Sequence, residues 1–92
     1  MKTKSFLFLS RAEQLSAFSA LSDTQKYFML KAFSDNRVMT TLYNAWVASS
    51  DLTTVSASIA SIESSHADLS GTATLQDDGS LIITDGLGNI IS

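Results

Sequence analysis

His66 is the only histidine in the sequence and the residue best suited to acid–base or metal chemistry near neutral pH. Its nearest acidic neighbours are Glu63 and Asp68. Glu63, three residues earlier, would share its helix face and could orient the imidazole ring. One imidazole and one carboxylate do not make a zinc or iron site, which needs three or more protein ligands. We therefore interpret His66 as a polar residue in a packing seam or interface, and we predict no metal.

Hydroxyl side chains are abundant, with sixteen serines and nine threonines, but their spacing indicates no nucleophile. No serine lies in a Gly-x-Ser-x-Gly or Ser-x-x-Lys motif. The absence of cysteine removes thiolate nucleophiles, disulfides and thiolate metal sites. The glycine-containing segments 77–79 and 85–89 lack the alternating acids and the glutamate of a calcium loop, and turn chemistry explains them. The sequence thus predicts a protein that is not an enzyme and that binds no cofactor.

Charge divides the chain into two parts. Residues 1–50 carry six basic and three acidic residues, a net charge of +3, whereas residues 51–92 carry six acids and no base, a net charge of −6. The basic excess is small and contains no arginine cluster, so we do not expect direct nucleic-acid binding. Most of the later acids occupy expected helix caps and turns, which weakens the interpretation of this half as a nucleic-acid mimic. Protein partners are the expected class.

Residues 5–9 form a short run near the N-terminus that is apolar apart from Ser5. The run is too short for the hydrophobic part of a secretion signal, and Arg11 and Glu13 follow at once, so we expect no cleaved signal peptide. No stretch approaches the roughly 20 apolar residues that span a bilayer. We interpret residues 5–9 as a strand or a buried extended arm. The expected location is a virion or the host cytoplasm, without membrane attachment.

Three helices are predicted next. The segments Ser10–Glu13 and Ser22–Gln25 are capping boxes, in which a serine and a residue three positions later cap a helix start together. The second helix is apolar on more than one side, which predicts a place between layers. Ser34-Asp35 begins the third helix, whose amphipathic pattern predicts burial of the sole tryptophan in the core; its apolar residues are Val38, Met39, Leu42, Tyr43, Trp46 and Val47.

A longer helix with small neighbours follows Asp51, a predicted N-cap, and is expected to end at Gly71. Its apolar residues recur every three or four positions as in a short coiled-coil seam, with one histidine among them; they are Leu52, Val55, Ile59, Ile62, His66 and Leu69. The β-branched residues near its start disfavour an isolated helix. We expect this segment to be helical when it packs against another surface, in the same chain or in a neighbour.

The rest of the sequence predicts a three-stranded meander, with strands at 72–76, 80–84 and 89–92. Asp-Gly pairs between apolar runs are typical of tight hairpin turns. Adjacent isoleucines point to opposite faces of a strand, so apolar side chains are expected on both faces of the sheet. Either both faces are covered or a strand edge pairs with another chain.

Together these features predict one α+β domain: a helical core subdomain over residues 1–50, a helical seam or arm over 51–70 and a β-meander over 71–92. Its apolar surface and opposed charges favour a non-enzymatic assembly protein, a small repeated subunit of a larger particle such as a phage head, neck or tail. The alternative is a small inhibitor or adaptor that binds a host protein, as a phage anti-defence protein does. The expected interface residues are Leu52, Val55, Ile59, Ile62, His66, Leu69, Ile82 and Ile90.

Overall fold

The computed structural model describes residues 6–92, and the part of the arm prediction that concerns Ser5 lies outside this range. Four helices precede a two-stranded antiparallel sheet, which confirms the α+β class. The elements are α1 (Arg11–Ser19), α2 (Asp23–Ala32), α3 (Arg37–Ser49), α4 (Leu52–Ser65), β1 (Gly71–Leu75) and β2 (Leu81–Asp85). No helix within the described range is long and apolar enough to cross a membrane.

Both predicted capping boxes are present. In the first, Ser10 Oγ accepts a hydrogen bond from the Glu13 amide at 3.2 Å, and Glu13 Oε1 accepts one from the Ser10 amide at 3.1 Å. In the second, Ser22 and Gln25 exchange the equivalent bonds. Asp51 caps α4 as predicted, with the Thr54 amide 2.7 Å from its Oδ1. These local bonds satisfy amides that have no partner within their helices.

Two predicted boundaries differ in the N-terminal half. Residues 6–8 form one turn of 3-10 helix, so the strand or extended arm predicted there is wrong. The reason is that Phe6 turns into the core, where its ring stacks on Phe33 with centroids 6.3 Å apart, and Gln14 Nε2 donates to its carbonyl at 3.3 Å. Helix α3 begins at Arg37, because the side chain of Asn36 is its cap.

Helix α4 ends at Ser65, six residues before the predicted end at Gly71. Three side chains bind carbonyls of its last turn: Ser64 Oγ and Ser65 Oγ donate to Ser61 O at 2.9 and 2.8 Å, and His66 Nδ1 lies 2.8 Å from Ile62 O. Ile62 O is one of the last four carbonyls of α4, which the helix itself leaves without a partner. The chain is then free to extend toward β1.

The sheet is a single hairpin in which Gly71 pairs with Asp85 and Leu75 pairs with Leu81. Gly79 sits in its turn at φ 90°, a conformation that favours glycine. The predicted third strand is not formed within the described residues: segment 89–92 makes one isolated bridge, between Thr84 and Ile90. The carbonyls of the last two residues instead accept hydrogen bonds from side chains at the start of α2.

Helix α2 lies between α4 and the hairpin, as its apolar residues on several sides predicted. Tyr27, Phe28 and Met29, which point in different directions around the helix, are all buried. Trp46 is also buried, at 4% exposure, as predicted for a core residue. One cluster of large apolar side chains therefore joins all four helices to the inner face of the sheet.

Candidate interaction surfaces

The seam predicted for residues 52–69 packs against the core of its own chain. Val55 and Ile62 are buried in that core, and Ile59 and Leu69 are partly buried against it. Leu52, at the start of the seam, is 59% exposed. The chain thus covers the middle of the seam itself and leaves its first residue exposed to solvent.

His66 has a structural environment at the end of α4. Besides the contact with Ile62 O, its half-buried ring meets Phe28 edge-on, with centroids 5.1 Å apart. Glu63, which the spacing suggested as its partner, instead accepts a hydrogen bond from Tyr27 Oη at 3.0 Å. Burial, reinforced by this bond and by the Glu63 charge, raises the pKa of Tyr27 to about 12. Among residues 6–92 no three acidic or histidine side chains gather as a metal site would require.

The carboxylate of Asp85 organises the turn after β2. Its Oδ1 accepts bonds from the amides of Leu87 and Asn89, both at 2.9 Å, and its Oδ2 accepts one from Asn89 Nδ2 at 3.2 Å. Burial alone would raise the pKa of Asp85, but these bonds and the nearby His66 outweigh it and lower that pKa. Both oxygens are therefore used within the turn, as the turn interpretation of this segment predicted.

Two predicted interface residues lie on the solvent side of the sheet, which we call the outer hairpin face (Thr72, Thr74, Ile82, Thr84 and Ile90). Ile82 pairs with Thr74, Thr84 pairs with Thr72, and Ile90 bridges to Thr84. Residues opposite each other on antiparallel strands project to the same side. Ile82 is 39% exposed and Ile90 is 73% exposed, and the face contains no charged residue. Sequence reasoning found its isoleucines through the strand alternation.

A cleft of about 840 Å³ separates α1 from the hairpin turn. We call it the acidic cleft, because its walls combine apolar residues with three acids and no base; they include Leu9, Ala12, Ala17, Leu75, Glu13, Asp77 and Asp78. Sequence reasoning missed this cleft, since its two walls lie about sixty positions apart in the chain. The local sequence explained each acid by a cap or a turn and gave no sign that the three would meet.

A smaller pocket of about 340 Å³ lies where α1, α2 and α3 meet. We call it the Lys26 pocket; it is lined by Leu15, Ser16, Phe18, Ser19, Lys26, Ala45, Trp46 and Ser49. Lys26 Nζ lies 5.9 Å from the ring centroid of Phe18 and 5.6 Å from that of Trp46. From the sequence, the aromatic residues were predicted to be core residues and Lys26 was one of six basic residues. No spacing in the sequence indicated that they would lie together.

Comparison with protein-family models, with curated proteins and with solved structures finds no match for this chain.

Proposed function

We propose that this protein is a non-enzymatic assembly protein, a repeated subunit that associates with copies of itself through the outer hairpin face. The observation that carries the proposal is an uncharged, partly apolar sheet face, with Ile82 and Ile90 exposed, on a chain whose net charge is −3. Burial of exposed isoleucine in a contact is favourable because it removes apolar surface from water.

The charge of the chain favours a second copy of this protein as the partner at the outer hairpin face. Two copies of net charge −3 repel each other over most of their surfaces. The outer hairpin face avoids this repulsion, because it carries no charged residue. It can meet the same face of a second copy without bringing like charges together. A two-fold contact uses the same patch on both subunits. Antiparallel sheets pack face to face in this way, about 10 Å apart.

The size of the face predicts a weak pairwise contact. Strands of five residues are about 17 Å long, and neighbouring strands lie about 4.8 Å apart. Two such faces bury less than the roughly 1,200–2,000 Å² of a stable interface. A subunit of this kind is held firmly only where several contacts act together. A larger particle such as a phage head, neck or tail supplies that multiplicity, in keeping with the small size of the chain.

Sedimentation or light scattering over a range of protein concentrations tests the proposal. We expect the apparent mass of the wild type to rise with concentration and that of Ile90→Asp to stay at the monomer value. Leu52→Asp is the matched control, because Leu52 is comparably exposed but lies at the start of α4. A wild type that is monomeric throughout, or an Ile90→Asp variant that associates normally, would refute the proposal.

The salt dependence of association distinguishes this contact from a head-to-tail contact. In a head-to-tail contact, the basic half of one copy would meet the acidic half of the next. Raising ionic strength from about 0.01 M to about 1 M shortens the Debye length from about 30 Å to about 3 Å. Association through the neutral face strengthens under this change, because repulsion between the acidic copies is screened. Association of a basic patch with an acidic one weakens, so loss of association in salt would contradict use of the neutral face.

The acidic cleft favours a second candidate function, an adaptor or inhibitor that binds another protein. Apolar walls beside Glu13, Asp77 and Asp78 complement a basic amphipathic helix laid into the groove. A designed leucine–lysine helical peptide serves as the probe. We expect Asp77→Asn to weaken its binding and high salt to abolish it. Equal binding by the wild type and the variant would remove this candidate.

A further inference from the structure

We infer that the Lys26 pocket binds a small carboxylate that has an apolar body. The pocket combines an apolar wall, formed by Leu15, Phe18, Ala45 and Trp46, with a single ammonium group. This site is separate from the outer hairpin face, so the two proposals can fail independently. Ligand sites in proteins commonly have this composition, with mostly apolar walls and few polar groups that fix orientation.

The apolar wall is rigid and limits the size of the ligand. Phe18 and Trp46 are 2% and 4% exposed, and their rings meet edge-on with centroids 6.4 Å apart. The buried rings therefore form the floor of the pocket and are held by the core behind them. The volume of about 340 Å³ accommodates about ten heavy atoms at roughly 30 Å³ each, the share of a water molecule in the liquid.

The ammonium group of Lys26 is available to an anion. It lies over the faces of two aromatic rings, and no hydrogen bond or ion pair joins it to another residue of the described range. An ammonium group carries three donors, and ring faces attract its charge without using them in conventional hydrogen bonds. Asp23, one turn earlier on α2, accepts instead from Ser58 of α4 at 3.4 Å. A carboxylate at the pocket mouth would thus gain a charge-assisted bond.

The serines at the rim add selectivity against a second negative group. Ser19 Oγ donates to Ser16 O and Ser49 Oγ donates to Trp46 O, both at 3.0 Å. Their protons are thereby used within the chain, and their oxygens can only accept. Lys26 alone among the lining residues supplies positive charge, which suits a monoanion such as a carboxylate better than a phosphate.

The intrinsic fluorescence of Trp46, the only tryptophan, provides a direct assay. Octanoate has ten heavy atoms and is the probe, used below its micelle concentration; octanol and octylammonium are its uncharged and positively charged counterparts. We expect a saturable change with octanoate, a weaker one with octanol and none with octylammonium. No saturable response to octanoate, or an equal affinity for octanol, would overturn the inference.

Two variants assign the response to the pocket. Lys26→Met should weaken octanoate binding about tenfold or more, as loss of a charge-assisted bond implies, and leave octanol binding unchanged. Lys31→Met is the matched control, because Lys31 lies on the same helix over the Tyr27 ring at 5.4 Å, outside the pocket. Ser49→Leu, at the exposed rim, should fill the pocket and abolish binding of both probes. Wild-type octanoate affinity in folded Lys26→Met or Ser49→Leu would refute the assignment.

Discussion

Gln25 joins the start of α2 to the last residues of the chain. Its Oε1 accepts from the Ser22 amide at 2.9 Å, which is the capping bond, and its Nε2 donates to Ile91 O at 3.2 Å. Ser22 Oγ likewise caps α2 and donates to Ser92 O at 3.0 Å. One capping box therefore both begins a central helix and holds the segment after β2.

The substitution Gln25→Glu separates these two roles. Glutamate keeps the capping acceptor and adds a favourable negative charge at a helix N-terminus, which contributes about 0.3–1 kcal/mol. It removes the only side-chain donor that reaches Ile91 O in the described structure, and it places a carboxylate oxygen there instead. Leaving a partly buried acceptor without its partner costs about 1–3 kcal/mol. We therefore expect a net loss of about 1–2 kcal/mol in the free energy of unfolding.

Thermal and urea unfolding, followed by circular dichroism and Trp46 fluorescence, measure this loss. For a domain of this size the expected fall in Tm is about 5–10 °C. Glu13→Gln is the control, because it makes the opposite change in the capping box of α1 and keeps the acceptor for the Ser10 amide. It should leave the bond between Gln25 Nε2 and Ile91 O intact, so it measures a change of capping charge apart from that bond.

Hydrogen exchange at the Ile91 amide gives an independent measurement of the same contact. This amide donates to Ile83 O at 2.7 Å, and it should exchange faster in Gln25→Glu if the segment loosens while the hairpin stays folded. A Gln25→Glu variant as stable as the wild type, or one with unchanged exchange at Ile91, would show that the side chain of Gln25 acts in capping alone.

The hairpin and its turn supply two further predictions. Gly71→Ala should destabilise the fold more than Gly79→Ala, because a Cβ at Gly71 would collide with the Phe28 carbonyl. A Cβ at Gly79 would meet open space, so only the positive φ of that residue causes strain. Urea unfolding compares the two variants, and an equal loss of stability would contradict this prediction. The lowered pKa of Asp85 contributes stability that is complete above the ordinary value of 3.8 and is lost as pH falls through the lowered folded value. Asp85→Asn should flatten this part of the stability–pH curve, and an unchanged slope would refute the role of its carboxylate.

Local sequence signals predicted three of the four helix starts in the described part of the chain, those of α1, α2 and α4. A capping box is complete within four residues, so Ser10–Glu13 and Ser22–Gln25 could be recognised without knowledge of the fold. The Asp51 cap and the Asp-Gly turn at Asp78-Gly79 are local in the same sense. Such features depend on backbone groups a few positions away, and no distant contact competes with them.

Two predictions, the third strand and the extended arm, failed because a side chain from another element binds a backbone carbonyl. The third strand required the carbonyls of Ile91 and Ser92 to be free to pair with a strand, but Gln25 and Ser22, about seventy positions earlier, bind them instead. The extended arm failed for the same reason, because Gln14 binds the carbonyl of Phe6 and stabilises a turn. The acidic cleft and the Lys26 pocket also join residues from separate elements, and no spacing in the sequence encodes either.

The fold changes the meaning of the charge division between the two halves of the chain. Asp51, Asp78 and Asp85 all bind backbone amides, and each has a lowered pKa because of bonds within its own cap or turn. Their charge is thus used to stabilise local structure, and neutralising any of them would remove a cap or turn bond together with the charge. Asp77 lines the acidic cleft beside Asp78, but its carboxylate makes no such bond in the described structure. For this reason a test of electrostatic recognition should begin with Asp77, where neutralisation removes charge from the surface without removing a cap.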